Sequence, residues 1–289
     1  MALVVTMAVM ISSYTDPGLT SVIGVGGVPL LLDDYSMVPQ TVADDANALA
    51  EELFDEPQLC ADFVAQQLAL YTEAQDKDFV LIFSSGGWGW SLLEESPGWW
   101  GIFEGMATEL ESWGYSSLEL DYLRTSPSVT GQLDEFWEML VGYPSKAEVL
   151  AARIDFLTDH LPDVKVVLAG ESTAAMIIDS AMVRLADNER VYCIQTGPPF
   201  WHETLAAERS LIMMGNGFEV DTLCQGNAFD FLFGCYKKWF GVLRPVSACG
   251  TEPHIVVAPG HDYWWQYPEV RETITRFLVD NFAPEATSG

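Results

Sequence analysis

Three stretches of this chain hold residues from which nucleophilic chemistry could be assembled. In Val166–Met182, VVLAGESTAAMIIDSAM, a β-branched and aliphatic run stops at Gly170, a lone serine follows, and a helical Ala/Met/Ile pattern begins at once. A serine on a tight strand-to-helix turn has its hydroxyl pushed out of the sheet, and the crowded backbone there demands small residues two places to either side. Gly170 and Ala174 meet that demand around Ser172. The helix N-terminus behind the serine adds unpaired N–H groups and a positive dipole end, suited to developing negative charge. Taken alone, the serine reads first as a helix N-cap.

The second stretch is Ser84-Ser85-Gly86-Gly87-Trp88-Gly89-Trp90, after the apolar run FVLIF. Paired glycines let the backbone approach a ligand and turn its N–H groups inward, where they could hold an oxyanion; a plain turn fits the residues equally well. The third is Ala258-Pro259-Gly260-His261-Asp262-Tyr263. Of the four histidines, His160 ends a helical pattern and His254 begins a strand pattern, so both read as structural. His202 follows TGPPFW and is a candidate pocket residue, whereas His261 alone combines a strand end, a preceding glycine and a C-terminal location. A base of near-neutral pKa is what a serine hydroxyl needs for activation. No GK[ST] ending follows the glycine loop, GxGxxG is absent, and the five scattered cysteines form neither CxxC nor a zinc spacing. Nucleotide binding is therefore unsupported, and no cofactor and no metal are expected.

The surrounding elements must place these loops on one edge. LTSVIGVGGVPLLL reads as two short strands around a Gly-Gly turn, and Thr41 to about Gln75 as two helices divided by Pro57. Strand patterns follow at FVLIF, YSSLELDY, VKVVLAG, VYCIQTG, SLIMMG and HIVVAPG. Helical patterns lie between them at about 100–113, 146–160, beyond Ser172, 203–208 and 229–240, with a last one over about 268–282. This alternation predicts a three-layer α/β/α fold with a mostly parallel sheet of about eight strands. A single domain over 1–289 is expected, with 1–76 as an N-terminal segment and about 198–250 as a candidate cap or acid-bearing region. Ligands of such sheets bind beyond the carboxyl ends of the strands, where all three loops fall.

Composition narrows the partners. Against 42 acidic side chains stand 13 basic ones, a formal charge of −29, which repels nucleic acid and anionic lipid headgroups. Such acidity suits a salt-rich cytosol and an ordinary acidic soluble protein equally. The dispersed cysteines argue against a disulfide framework and for a reducing compartment. The apolar N-terminus carries no Lys or Arg before Lys77 and is broken at Asp16-Pro17-Gly18. It is expected to pack rather than span a membrane, in a cytoplasmic protein, with a clipped membrane anchor as the alternative. Trp88, Trp90, Trp99, Trp100, Phe200, Trp201, Trp264 and Trp265 lie in or beside the strand-end loops. Around a site they would favour an apolar acyl or aromatic group, with Trp90, Trp201 and His202 as substrate-binding candidates; packing beneath loops is the equal alternative.

In content and order, the glycine loop SGGWGW, the following LELDYLRTSPS, the turn GESTA and the tail PGHDYWWQYPEVRETITRFL resemble the α/β-hydrolase superfamily, as a serine esterase- or lipase-like member, from roughly Phe79 to Phe282. The resemblance implies Ser172 as nucleophile, His261 as general base, and the N–H groups of Thr173 and of Trp88 or Gly87 as an oxyanion hole. It also implies an acid after the strand preceding the histidine strand. Asp221, in NGFEVD, keeps the order Ser, Asp, His, and Glu219, Asp230 and Glu203 are alternatives. Asp262 adjoins His261 and is poorly directed toward its ring. The implied activity is hydrolysis of a small-molecule carboxylic ester or thioester through an acyl-enzyme. The competing expectation is a non-catalytic protein of this fold that binds an apolar ligand or a protein partner, favoured if His261 has no carboxylate within hydrogen-bonding reach or lies far from Ser172. Oligomeric state is not read from the sequence.

Overall fold

Continuous apolar runs become strands buried on both faces, and here they build one sheet. The computed structural model describes residues 21–205, 208–226 and 260–284. Among them, β1 (Val22–Val25), β2 (Val28–Pro29), β3 (Phe79–Ser84), β4 (Ser117–Leu123), β5 (Lys165–Glu171), β6 (Val191–Thr196) and β7 (Ser210–Met213) form a seven-stranded sheet. Its order is β2-β1-β4-β3-β5-β6-β7. Strands β4, β3, β5, β6 and β7 pair in parallel, while β1 runs antiparallel to both β4 and β2, so a hairpin closes one edge. The expected strand at HIVVAPG, the expected helix at 229–240 and the 227–250 part of the candidate cap region lie outside the described residues, as do 1–20.

The two-residue period of the strands divides the core. Phe79, Leu81 and Phe83 of β3 join Val167, Ala169 and Ile194 beneath α3 (Pro97–Ser112) and α7 (Pro268–Phe282). Val80 and Ile82 join Val166, Leu168 and Cys193 on the opposite face, beneath α2 (Pro57–Ala74), α5 (Pro144–His160) and α6 (Thr173–Arg184). Each such fully buried aliphatic or aromatic side chain is worth about 1.5–3 kcal/mol. This is the expected three-layer α/β/α fold. The helices read between Thr41 and Gln75 are α1 (Gln40–Leu53) and α2, and Val42 and Ala46 of α1 pack on Leu68, Tyr71 and Phe156 as an outer layer. No helix among the described residues is long and apolar enough to cross a membrane.

Two expectations are corrected. The helix read at 203–208 does not form over Glu203–Leu205, where the Leu205 N–H donates instead to Asp179 Oδ2 of α6 at 2.8 Å. The polar turn after β4 is followed by an unforeseen helix, α4 (Val129–Val141), started by Ser128, whose hydroxyl accepts from the Gly131 N–H, and ended by Gly142 at φ 85°. This helix buries Glu135 while exposing Val129, Leu133, Phe136 and Leu140. Its pattern is inverted relative to the usual core-facing stripe.

Candidate active site

Because β3 to β7 run in parallel, the residues after each of them share one edge of the sheet. Ser172 follows β5 and sits at φ 56°, ψ −124°, a left-handed conformation that costs a non-glycine residue about 1–3 kcal/mol. Its N–H donates to Thr196 O of β6 at 2.9 Å, and its carbonyl accepts from the Ala175 N–H at 3.0 Å. It occupies the cap position of α6, yet its hydroxyl makes no capping hydrogen bond. The capping explanation of this serine therefore fails. The small flanking residues follow from crowding, since a Cβ on Gly170 would lie 2.7 Å from Ile178 Cδ1 and 2.9 Å from Ala174 Cβ. One on Gly86 would lie 2.9 Å from Ser172 Cβ, so the glycine loop abuts the serine.

His261 and Asp221 meet on the neighbouring loops. His261 Nδ1 is 2.8 Å from Asp221 Oδ2, with the carboxylate fully buried and the imidazole side chain 11% exposed. Tyr263 OH donates to the same Oδ2 at 2.7 Å, and the N–H groups of Leu223 and Cys224 donate to Oδ1 at 2.9 and 3.2 Å. Burial pulls the Asp221 carboxyl upward, but the hydrogen bond and charge of His261 and the Tyr263 hydroxyl outweigh it and hold it below its usual value. An ionised carboxylate only accepts, so the imidazole proton sits on Nδ1 and Nε2 is left as the basic nitrogen. Burial pulls the His261 pKa down, while the bond and charge of Asp221, then Glu171 and Asp262, bring it out above the ordinary value.

Glycines bring these parts together. Gly260, at φ 73°, leaves no room for a Cβ, which would lie 2.4 Å from Val220 O and 2.9 Å from Asp221 N. A Cβ on Gly197, at φ 62°, would lie 2.2 Å from His261 Cε1. Gly197 follows Thr196, the residue that holds the Ser172 N–H, so the serine and the imidazole flank the same two residues of the chain.

The remaining expected residues fall as follows. Thr173 opens α6 and donates its hydroxyl to Gly87 O at 2.8 Å. Among the described residues, neither the Thr173 nor the Trp88 N–H has a protein acceptor. Trp88 and Trp90 stack with ring centroids 6.1 Å apart, and Trp201 is half exposed. His202 is taken up by a different acid, its Nε2 lying 3.1 Å from Asp179 Oδ2. Of the alternative acids, Glu219 is exposed, Glu203 makes no hydrogen bond to His261, and Asp230 lies outside the described residues. Asp262 turns its carboxylate to Tyr267 OH at 2.8 Å and Asn216 Nδ2 at 3.2 Å.

Several residues of the site escaped the sequence reading. Glu171, beside the serine, accepts from Trp99 Nε1 at 3.0 Å and is raised by burial, with the His261 charge opposing. Arg124, buried after β4, reaches the glycine loop, and its signal was only that of a scarce cation at a strand end. Cys224, Asp221 and His261 bring ligand-type atoms within 4.8 Å of one another. Burial and the neighbouring Asp221 carboxylate push the Cys224 thiol up.

No protein-family model matches the chain, and no curated protein matches it by sequence. Among solved structures, a Trichoderma reesei cutinase in complex with a C11Y4 phosphonate inhibitor is similar at 18% identity, covering 84% of this chain and 92% of that one, with a TM-score of 0.44. A cutinase-like protein from Cryptococcus sp. is similar at 13% identity, covering 72% and 97%, with a TM-score of 0.41. Likeness at this level leaves the chemistry to the chain's own geometry.

Proposed function

We propose that the chain is a serine hydrolase that cleaves carboxylic esters or thioesters through an acyl-enzyme. The observation carrying this reading is the buried Asp221–His261 pair, 2.8 Å apart, set against Gly197 next to the residue that holds Ser172. The non-catalytic alternative is favoured by a His261 with no carboxylate within reach or one far from Ser172, and the Asp221 contact counts against the first of these.

In this reading His261 Nε2 takes the Ser172 hydroxyl proton as Oγ bonds to the substrate carbonyl carbon. The carbonyl oxygen becomes an oxyanion facing the Thr173 and Trp88 N–H groups, each such donor contributing about 2.7–4 kcal/mol to the transition state. The imidazolium, steadied by Asp221, returns its proton to the departing alcohol or thiol. Water then enters and its oxygen bonds to the acyl carbon as His261 takes its proton; the acyl–Oγ bond breaks as the imidazolium returns that proton to Ser172 Oγ, releasing the carboxylic acid and restoring the free base. The stacked Trp88–Trp90 pair beside the loop supports an apolar acyl or aromatic group as the substrate feature.

The test is a fluorophosphonate probe together with p-nitrophenyl ester turnover. Labelling of the wild type but not of Ser172→Ala, with saturable turnover lost in His261→Ala, is expected. Equal labelling of wild type and Ser172→Ala overturns the proposal.

A further inference from the structure

The proposed chemistry leaves Arg124 without a role, although the loop that supplies the oxyanion donors is built around it. The side chain is 2% exposed, and a guanidinium offers five N–H donors in a fixed fork. Nε donates to Glu135 Oε1 at 2.8 Å. Nη1 donates to Ser84 Oγ at 3.1 Å and to the Ser85 carbonyl. Nη2 donates to the Gly87 carbonyl at 3.0 Å and to Thr173 Oγ1 at 2.8 Å. The Arg124 N–H also donates to Gly89 O at 3.0 Å. Gly89, at φ 75°, has no space for a Cβ, which would lie 2.4 Å from Arg124 Cγ and Cζ. The glycine loop thus wraps the arginine closely.

The consequence lies in the peptide plane. In a trans peptide the N–H points opposite to the carbonyl. A Gly87 carbonyl held by Nη2 and by the Thr173 hydroxyl therefore turns the Trp88 N–H away from the guanidinium. The same nitrogen ties the loop after β3 to the first residue of α6, which carries the second donor. Glu135 is shared with Lys146 Nζ at 2.6 Å, so two cations stand on one buried carboxylate beneath the loop.

We infer that Arg124 is the positioning residue of the oxyanion hole, setting the Trp88 and Thr173 N–H groups in register. The inference rests on the serine-hydrolase reading. Lysine cannot replace it, because an ammonium is a point charge without the fork that grips two carbonyls and two hydroxyls together.

The experiment compares wild type, Arg124→Lys and Thr173→Val with a p-nitrophenyl ester and an aryl trifluoromethyl ketone. The ketone carbon bonds to the serine oxygen as its proton passes to the histidine, and the ketone oxygen becomes an oxyanion. Arg124→Lys is expected to lower kcat on the order of 10²-fold, the effect of a lost oxyanion donor, with KM within about threefold. The ketone's inhibition constant should weaken by the same factor as kcat/KM. Thr173→Val, which leaves the arginine in place, should lose a smaller part of kcat with KM held, and it decides the matter should Arg124→Lys not fold. Folded variants with wild-type kcat overturn the inference, as does a rise in KM alone, which would mark a substrate contact. A wild type that neither turns over the ester nor labels with fluorophosphonate sinks the hydrolase reading instead.

Discussion

The Tyr263 hydroxyl lies 2.7 Å from Asp221 Oδ2, the oxygen that also faces His261 Nδ1 at 2.8 Å. Tyr263 and His261 stand two residues apart on one loop and grip the same acceptor, while backbone N–H groups occupy Oδ1. The carboxylate is immobilised from both sides, so its direction toward the imidazole is set without help from substrate.

Tyr263→Phe removes a hydrogen bond to a buried charge, which ordinarily contributes about 1.5–3 kcal/mol. Urea unfolding should show a loss of that size. An unchanged unfolding midpoint would mean that the tyrosine is a spectator.

Asp221→Asn should lower kcat by roughly 10³–10⁴-fold while the fold persists, because the amide can donate to Nδ1 and favour the tautomer whose Nε2 is no longer a base. Glu219→Gln, at an exposed carboxylate, should leave kcat unchanged. Steady-state kinetics with a circular-dichroism check on each variant separates the two acids.

The pH dependence follows from opposite shifts. His261 is raised above 6.5, so kcat/KM should climb with pH through a midpoint above that value, as the imidazole becomes the free base. Its stabilising contribution has the reverse sense, being fully present below 6.5 and lost as pH rises through the folded pKa. Asp221 is depressed, so its contribution is present above 3.8 and lost as pH falls through its folded pKa. Glu171→Gln removes a neighbouring carboxylate that supports the imidazolium and should move the activity limb to lower pH. A limb that stays in place or moves upward contradicts this account.

Gly197→Ala combines a φ of 62° with a methyl 2.2 Å from His261 Cε1. The backbone alone costs about 1–2 kcal/mol, and displacing the imidazole by about an ångström should cost on the order of 10²-fold in kcat. Gly114→Ala, at φ 90° with nothing within 4 Å of its Cβ, should lower the melting temperature without touching kcat. Comparing the two variants separates backbone strain from steric displacement.

Glu135→Gln takes the shared carboxylate from Arg124 and Lys146, of which Lys146 keeps Asp134 at 3.1 Å. Breaking a buried pair in this way typically costs about 3–5 kcal/mol, which chemical denaturation can read directly. A variant as stable as wild type would show that Arg124 does not need the Glu135 charge.

The sheet was legible because strand signals are local. FVLIF, SLELDYL, KVVLAGE and VYCIQT pack both faces and carry their period in their own residues. Helix α4 carried the same kind of local signal, with Val129, Leu133, Phe136, Trp137 and Leu140 at helical spacing, and was overlooked; what no local rule reads is that most of this stripe stays exposed while Glu135 is buried. The Glu203–Leu205 segment was misread because the Leu205 N–H bonds to Asp179, on a different element.

By itself, the sequence determined the three-layer architecture and the identities of the residues that end each strand, because alternation and backbone crowding act between near neighbours. Only the tertiary structure decided which carboxylate meets His261 and that Arg124 lies inside the glycine loop. Those relations join residues as much as 49 positions apart, as Arg124 and Thr173 are, through sheet order and register. Side-chain direction across neighbouring strands depends on that pairing, which no single segment encodes.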